Sequence, residues 1–303
     1  MKKWMIVIAS IVGVLAIGIG GYAYYVYHSV KETAEQMHET NVNEEPPPEV
    51  NIPENPKPIS ILLMGVDQRK EDPGRTDTMI VITLNPKKNK MVMVSIPRDT
   101  RTEIIGKGKM DKINHAYAFG GTKMSIDTVE NFVGVPMNYY IRVNMKALKE
   151  LVDAVGGITV QNNIDWYDEG YYKKGYHYKK GQINLNGPQA LGFVRMRHLD
   201  PKGDFGRNER QRKVITAIIH KAVNISSVTR ITDILHALGK NVKTNMTFNE
   251  MMNIQKNYRD SQKNIIQYEV QGEGERIDGI YYLIVPEEER TRIMNDLKES
   301  LKE

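Results

Sequence analysis

Apolar positions in the middle of the chain come in short unbroken runs, each closed by charged or turn-forming residues. Ile59–Val66, Met79–Leu84 and Met91–Ile96 are three such runs. Continuous apolar stretches of this length, bounded by turn signals, read as buried strands. Farther on the period lengthens. Lys112–Gly121 reads as a short helix ended by glycines, and Ile126, Val129, Phe132 and Val133 recur at helical spacing up to the Gly134–Val135–Pro136 stop. Tyr139–Val143 and Ile158–Val160 read as strands on either side of a helix over Met145–Val155, which Gly156 and Gly157 end. In the tail, Thr247–Tyr258 reads as a helix, Ile265–Gln271 and Ile280–Val285 as strands, and Pro286–Leu301 as a helix with proline and acids in its first turn. Strands alternating with helices predict an α/β domain, a sheet with helices on its faces, over residues 59–303.

The charged breaks between these runs carry the candidate chemistry. Asp67 follows the first run, Arg75 and Asp77 precede the second, and Arg98 and Asp99 follow the third. Open α/β sheets bind ligands at strand ends. Two Asp side chains offer hard oxygens to a magnesium ion that shares itself with phosphate. Arginine offers a planar fork for phosphate oxygens. A second charged stretch, Gly187–Arg212, holds arginines at 195, 197, 207, 210 and 212. Arg195 and Arg197 diverge by about 200° on a helix and share a face only in extended chain. The loop His198–Gly203 predicts that the helix frays there. Asp204 is placed to cap the next helix, whose stripe of Val214, Ile215, Ile218, Ile219 and Ala222 packs inward. Arg207 and Gln211 stack on one face of its first turns, where free N–H groups already favour an anion. The competing reading is ordinary surface ion pairing, with Arg210 and Arg212 on acids such as Glu209.

Upstream, Trp4–Tyr27 contains no Asp, Glu, Lys or Arg and is long enough to cross a bilayer as a helix. Lys2 and Lys3 before it place residues 1–3 in the cytoplasm and the rest outside. A cleaved signal peptide is the alternative, but the apolar run is long and lacks a clean cleavage site. Residues 28–58 then read as a linker, helical at first and extended where Pro46, Pro47, Pro48, Pro53, Pro56 and Pro58 crowd it. Such a spacer would hold the domain off the membrane. The formal charge of +5 loses two lysines to the cytoplasmic tail, and no nucleic-acid motif appears. The absence of cysteine suits the envelope of a Gram-positive-type bacterium.

Five motifs in order resemble the LytR–CpsA–Psr family: GRTDTM at 74–79, SIPRDT at 95–100, KINHAYAFGG at 112–121, LVDAVGGITV at 151–160 and ALGFVRMRHLDPKGDFGRNERQR at 190–212. The likeness spans about Ile59 to Val223 and is strongest to members that attach wall teichoic acid to peptidoglycan. It implies a central mixed β-sheet flanked by helices, behind an N-terminal transmembrane helix. It implies a single-pass cell-membrane enzyme with its catalytic domain outside. That enzyme is a phosphotransferase moving a glycopolymer from a polyprenyl-pyrophosphate carrier to the C6 hydroxyl of N-acetylmuramic acid in peptidoglycan. By the same resemblance Asp67 and Asp77 are magnesium ligands, and Arg75, Arg98, Lys112, Arg195, Arg197, Arg207 and Gln211 contact the pyrophosphate. Arg75, Arg98 and Asp99 are the catalytic candidates, with Asp99 activating the acceptor hydroxyl.

The lipid predicts an apolar tunnel between sheet and helices. A polyprenyl-pyrophosphate hydrolase and a non-enzymatic, membrane-anchored regulator or lipid-binding protein are the rival readings. Gly170–Gly181, GYYKKGYHYKKG, reads as a solvated hairpin.

Overall fold

A computed structural model describes residues 24–39, 56–69, 72–223, 234–235, 237–239 and 241–303. The three apolar runs become β1 (Ile59–Arg69), β2 (Asp72–Asn85) and β3 (Lys90–Ser95). They form the centre of a six-stranded mixed sheet. With β6 (Tyr139–Asn144), β11 (Val242–Thr244) and β12 (Asn264–Glu269), its order is β11-β6-β1-β2-β3-β12. β1 runs parallel to β6 and antiparallel to β2, and β3 runs parallel to β12.

Period-two alternation sends neighbouring residues to opposite faces. Both faces are covered, which is why the runs are apolar without a break. Leu62, Met64, Met79, Val81, Val92 and Val94 pack against Val129, Phe132 and Val133 of α2 (His115–Val133) and against Ile293 and Leu297 of α7 (Glu287–Ser300). Ile61, Ile80, Ile82, Met91 and Met93 face the other way, onto Ile215 of α5 (Asp204–Val223) and Met251 and Ile254 of α6 (Phe248–Asn257). A further core joins α3 (Met145–Ala154), α4 (Gly187–Arg195), β7 (Ile158–Asn162) and β10 (Gly181–Leu185) through Val152, Ile158, Leu185 and Phe193. The expected mixed sheet with flanking helices is present. Neither of the two cavities that stand out, about 390 and 140 Å³, is the expected apolar tunnel, and neither is lined by Asp77, Arg98 or Arg207.

Two local expectations change. Lys112 ends a short strand, β5 (Lys109–Lys112), which pairs with β4 (Arg101–Ile104). The two short helices expected around 112–133 form one run, broken where Gly120 and Gly121 leave helical geometry. Residues 24–37 form α1, which is docked on the domain and is no free spacer. Its Ala34 and Met37 are buried. His38 and Glu39 lie along β11, with Glu39 N–H donating to the Thr244 carbonyl at 2.8 Å. The Glu39 carboxylate accepts from Tyr140 Oη at 3.0 Å and Arg142 Nη2 at 3.1 Å. The expected membrane span at 4–27 and the proline-rich part of the linker lie almost wholly outside the described residues. Among those described, no helix is long and apolar enough to cross a membrane.

One irregularity in the sheet matters for the site. Gly65 pairs with Thr78 and Val66 with Thr76, so Asp77 is an extra residue in β2. A β-bulge of this kind re-aims its side chain. Gly65 permits it: a Cβ there would stand 2.9 Å from Thr78 Cβ. Gly65→Ala is therefore expected to lower the free energy of unfolding by about 1–3 kcal/mol, the usual range for overpacking a tight site. Denaturant titration measures this, and an unchanged midpoint would show that the bulge is not held by this close approach.

Candidate active site

The sheet brings its charged loops to one edge. β1 and β3 end where antiparallel β2 begins, and β12 ends beside them. Asp77, the Pro97–Thr100 turn and Glu269 therefore share the carboxyl edge. The turn is pinned from two sides: Asn114 N–H donates to the Arg98 carbonyl at 3.3 Å, and Leu283 N–H to the Asp99 carbonyl at 2.8 Å. Leu283 belongs to β14 (Ile280–Ile284), which pairs with β13 (Glu273–Ile277).

Arg98 Nη1 donates to Asp77 Oδ1 at 2.7 Å, and Arg98 Nε lies 3.4 Å from Asp204 Oδ2. Asp204 also receives Arg207 Nη2 at 2.9 Å and lies 3.3 Å from Arg197 Nε. One carboxylate thus gathers three guanidinium groups from three segments. Lys112 Nζ donates to Asp99 Oδ1 at 2.6 Å, while Asp99 Oδ2 is 3.7 Å from Arg98 Nε. Arg207 is only 8% exposed. Its burial lowers its pKa, Asp204 raises it, and neighbouring Arg98 lowers it again. Arg98 is also desolvated, but its hydrogen bond to Asp77 and the charges of Asp204, Asp77 and Asp99 raise its pKa overall. Arg207 Nε is buried and has no hydrogen-bond partner. An unmet buried donor costs about 1–3 kcal/mol, and more on a charged group, so this corner favours an incoming anion.

Not every expected residue joins this group. Arg75 is exposed beside it on β2, opposite Asp67 in the ladder, and pairs with no carboxylate among the described residues. The Asp67 side chain lies outside the described part. Arg195 is the last residue of α4 and is half-buried. The helix ends there as expected: Met196 is extended at φ −57° and ψ 135°, and Arg197 follows outside the helix. Gln211 is buried one turn after Arg207. Arg210 and Arg212 are structural, and their partners are not the expected surface Glu209. Arg210 bonds Asp200 and the carbonyls of Phe193 and Met196, tying the 198–203 loop to α5. Gly206 lets that loop approach, since a Cβ there would overlap the Asp200 carboxylate. Arg212 Nη2 meets Glu269 Oε2 at 3.2 Å, and Asn208 Nδ2 meets Glu269 Oε1 at 2.8 Å.

Two residues of this corner were not legible in the sequence. Asp204 reads in sequence as a helix cap, but its carboxylate turns to the arginines. Its position between Arg197 and Arg207 was the available signal. Tyr281, 42% exposed, stands near the same charges. Burial raises its pKa, and Asp99 and Asp204 push it the same way. Nothing in the apolar run around Tyr281 marks it, because only tertiary packing brings β14 here.

Asp204→Ala leaves three guanidiniums without their shared carboxylate, one of them buried. The variant is expected to lose about 1–3 kcal/mol of stability. Inorganic pyrophosphate should raise its melting temperature by more than it raises that of the unaltered chain. Equal melting temperatures without anion would contradict the hub role of Asp204.

The LytR_cpsA_psr family model matches residues 24–299. The chain is 50% identical, over 99% of its own length and 96% of the relative's, to the polyisoprenyl-teichoic acid–peptidoglycan teichoic acid transferase TagU of Bacillus subtilis (strain 168). The crystal structure of B. subtilis TagU superposes with a TM-score of 0.65 at 48% identity, covering 82% of this chain and 98% of that one. A structure of TagT bound to LIIa-WTA gives a TM-score of 0.73 at 27% identity, covering 87% of this chain and 99% of that one. The ordered motifs, the mixed sheet and these matches agree: the chain belongs to the LytR–CpsA–Psr family.

Proposed function

We propose that the chain is a teichoic acid transferase that moves the polymer from a polyprenyl-pyrophosphate carrier onto peptidoglycan. The observation that carries this is the convergence of Arg98, Arg197 and Arg207 on one carboxylate at the sheet's carboxyl edge. The names of relatives about 50% identical over nearly the whole chain support the same reaction.

Phosphoryl transfer needs positioning and charge neutralisation more than covalent help from the protein. The arginines are already gathered and partly desolvated, so they need little reorganisation when charge develops. A phosphate oxygen at Arg207 Nε would supply the acceptor that this nitrogen lacks. The acceptor hydroxyl, in this reading C6 of N-acetylmuramic acid, attacks the phosphorus that bears the polymer. Its O–P bond forms as the bond to the bridging oxygen breaks, and polyprenyl phosphate leaves with the electron pair. Asp99 takes the hydroxyl proton. Lys112 holds Asp99 Oδ1 at 2.6 Å, leaving Oδ2 to receive it.

Magnesium fits the donor chemistry. Among the described residues no three His, Cys, Asp or Glu form a cage for an ion, but magnesium normally takes one or two carboxylates and completes its shell with phosphate and water. Asp77 and Asp67 would hold it, and when bound it would neutralise pyrophosphate charge. Residues 4–27 would anchor the chain in the cytoplasmic membrane, the domain lying outside. With α1 docked on β11, the domain would then sit close to the bilayer.

The test is incubation of the full-length chain with lipid-linked teichoic acid, with and without peptidoglycan. Polymer joined to peptidoglycan, abolished by a chelator and restored by magnesium, is expected. Asp99→Asn should lower the rate by about 10²–10⁴-fold, the usual worth of a general base. Release of polymer phosphate at the same rate without peptidoglycan would favour a hydrolase instead.

A further inference from the structure

The aromatic and basic hairpin around Gly170–Gly181 takes no part in the cluster at Asp204, yet it is built as a rigid platform. Asp168, buried beneath it, accepts from the backbone N–H of Gly170, Tyr171 and Tyr172 at 2.8 Å each and of Lys173 at 3.1 Å. The hairpin strands are β8 (Trp166–Tyr167) and β9 (His177–Tyr178), and the Tyr178 ring stacks on Trp166 with centroids 4.1 Å apart, seating the hairpin in the core. The expected solvated hairpin is thus anchored below and open above. On its outer side Tyr167, 59% exposed, stacks on His177 with centroids 4.4 Å apart and 15° between the planes.

Lys173, Lys174, Lys179 and Lys180 are all exposed, and none forms an ion pair among the described residues. Against these four stand Glu169, exposed, and Asp165, which His177 holds at 2.5 Å. The surface is therefore cationic around a flat aromatic pair.

The platform sits on α4, whose C-terminal end leads to Arg197 of the arginine cluster. Gly192 of α4 lies directly beneath it, where a Cβ would stand 2.7 Å from Tyr172 Cβ and 2.5 Å from Tyr178 Oη. Arg195 is three residues farther along the same helix, hence on the same face and about one turn away. A polymer joined to a pyrophosphate held at Arg197, two residues beyond Arg195, would pass the hairpin as it leaves.

We infer that this hairpin is a subsite for the sugar–phosphate chain of the donor. Its four lysines take the phosphodiester groups, and the Tyr167–His177 pair takes a sugar ring. The inference rests on the transferase reading, which supplies a polyanionic chain at the neighbouring site. The lysines favour that chain over the acceptor glycan, because a phosphodiester polymer carries a negative charge in every unit. Binding through exposed charges is screened by salt.

The test uses the full-length chain in detergent and a soluble glycerol-phosphate oligomer, with an uncharged chitin oligosaccharide of similar length as control. Calorimetry should show salt-sensitive binding of the phosphodiester oligomer. Replacing all four lysines by alanine should weaken it about tenfold or more, since each exposed pair contributes modestly and four act together. Replacing them by arginine should preserve it. Unchanged melting temperatures would show that both variants are folded, as exposed positions allow. Equal affinity in the alanine variant, or equal binding of the uncharged oligosaccharide, would overturn the inference. Transfer to peptidoglycan is measured on the same preparation. Transfer without oligomer binding contradicts the subsite alone, whereas oligomer binding without transfer contradicts the transferase reading and supports a polyanion site on the hairpin.

Discussion

The site depends on holding several positive charges close together before any substrate arrives. Like charges in a partly desolvated corner repel, and the structure answers with carboxylates placed between them. Asp204 lies within 3.4 Å of nitrogen atoms on Arg98, Arg197 and Arg207. Asp77 takes the far end of Arg98, and Asp99 takes Lys112. The charges are neutralised enough to fold but remain available, because an exchanging anion offers each guanidinium better geometry than a shared carboxylate does.

This arrangement explains why the first turns of α5 are polar and yet buried. Arg207, Asn208, Arg210, Gln211 and Arg212 are all buried in a helix whose later turns pack apolar residues. Each charged member not aimed at the site has its own acceptor: Asp200 and two carbonyls for Arg210, and Glu269 for Nη2 of Arg212, whose Nε and Nη1 are buried without partners. Removing one partner from such a network leaves a buried charge uncompensated, which costs more than the pair itself contributes. The helix is held in register by these bonds, and Arg207 is carried with it. Sheet, bulge and α5 are therefore parts of one positioning device.

Much of this was readable in the residues. The three apolar runs marked the central strands, because strands covered on both faces have no polar alternation to hide them. The charged breaks marked the candidate residues that meet, because the topology must bring strand ends of one edge together. Arg98, Arg197 and Arg207 do meet. What stayed hidden has a common cause, namely contacts between segments far apart in the chain. Asp204 reads as a cap in its local sequence, and its choice of arginines over its own helix is tertiary. Nothing local to Arg210 and Arg212 points to Asp200 or Glu269 rather than Glu209. The docking of α1 on β11 was invisible for the same reason. Lys112 in a strand illustrates a different failure, since a four-residue hairpin strand is too short to show a period.

In the transferase reading Arg98 and Arg207, 109 positions apart in the chain, grip the same pyrophosphate. A double-mutant cycle tests this most directly. The affinity of the full-length chain for a short polyprenyl pyrophosphate is measured by calorimetry, in the presence of magnesium, for Arg98→Ala, Arg207→Ala and the double variant. A shared grip gives non-additive losses, with a coupling of about 1 kcal/mol or more between the two positions. Losses that add within about 0.5 kcal/mol, the behaviour of independent sites, would contradict it.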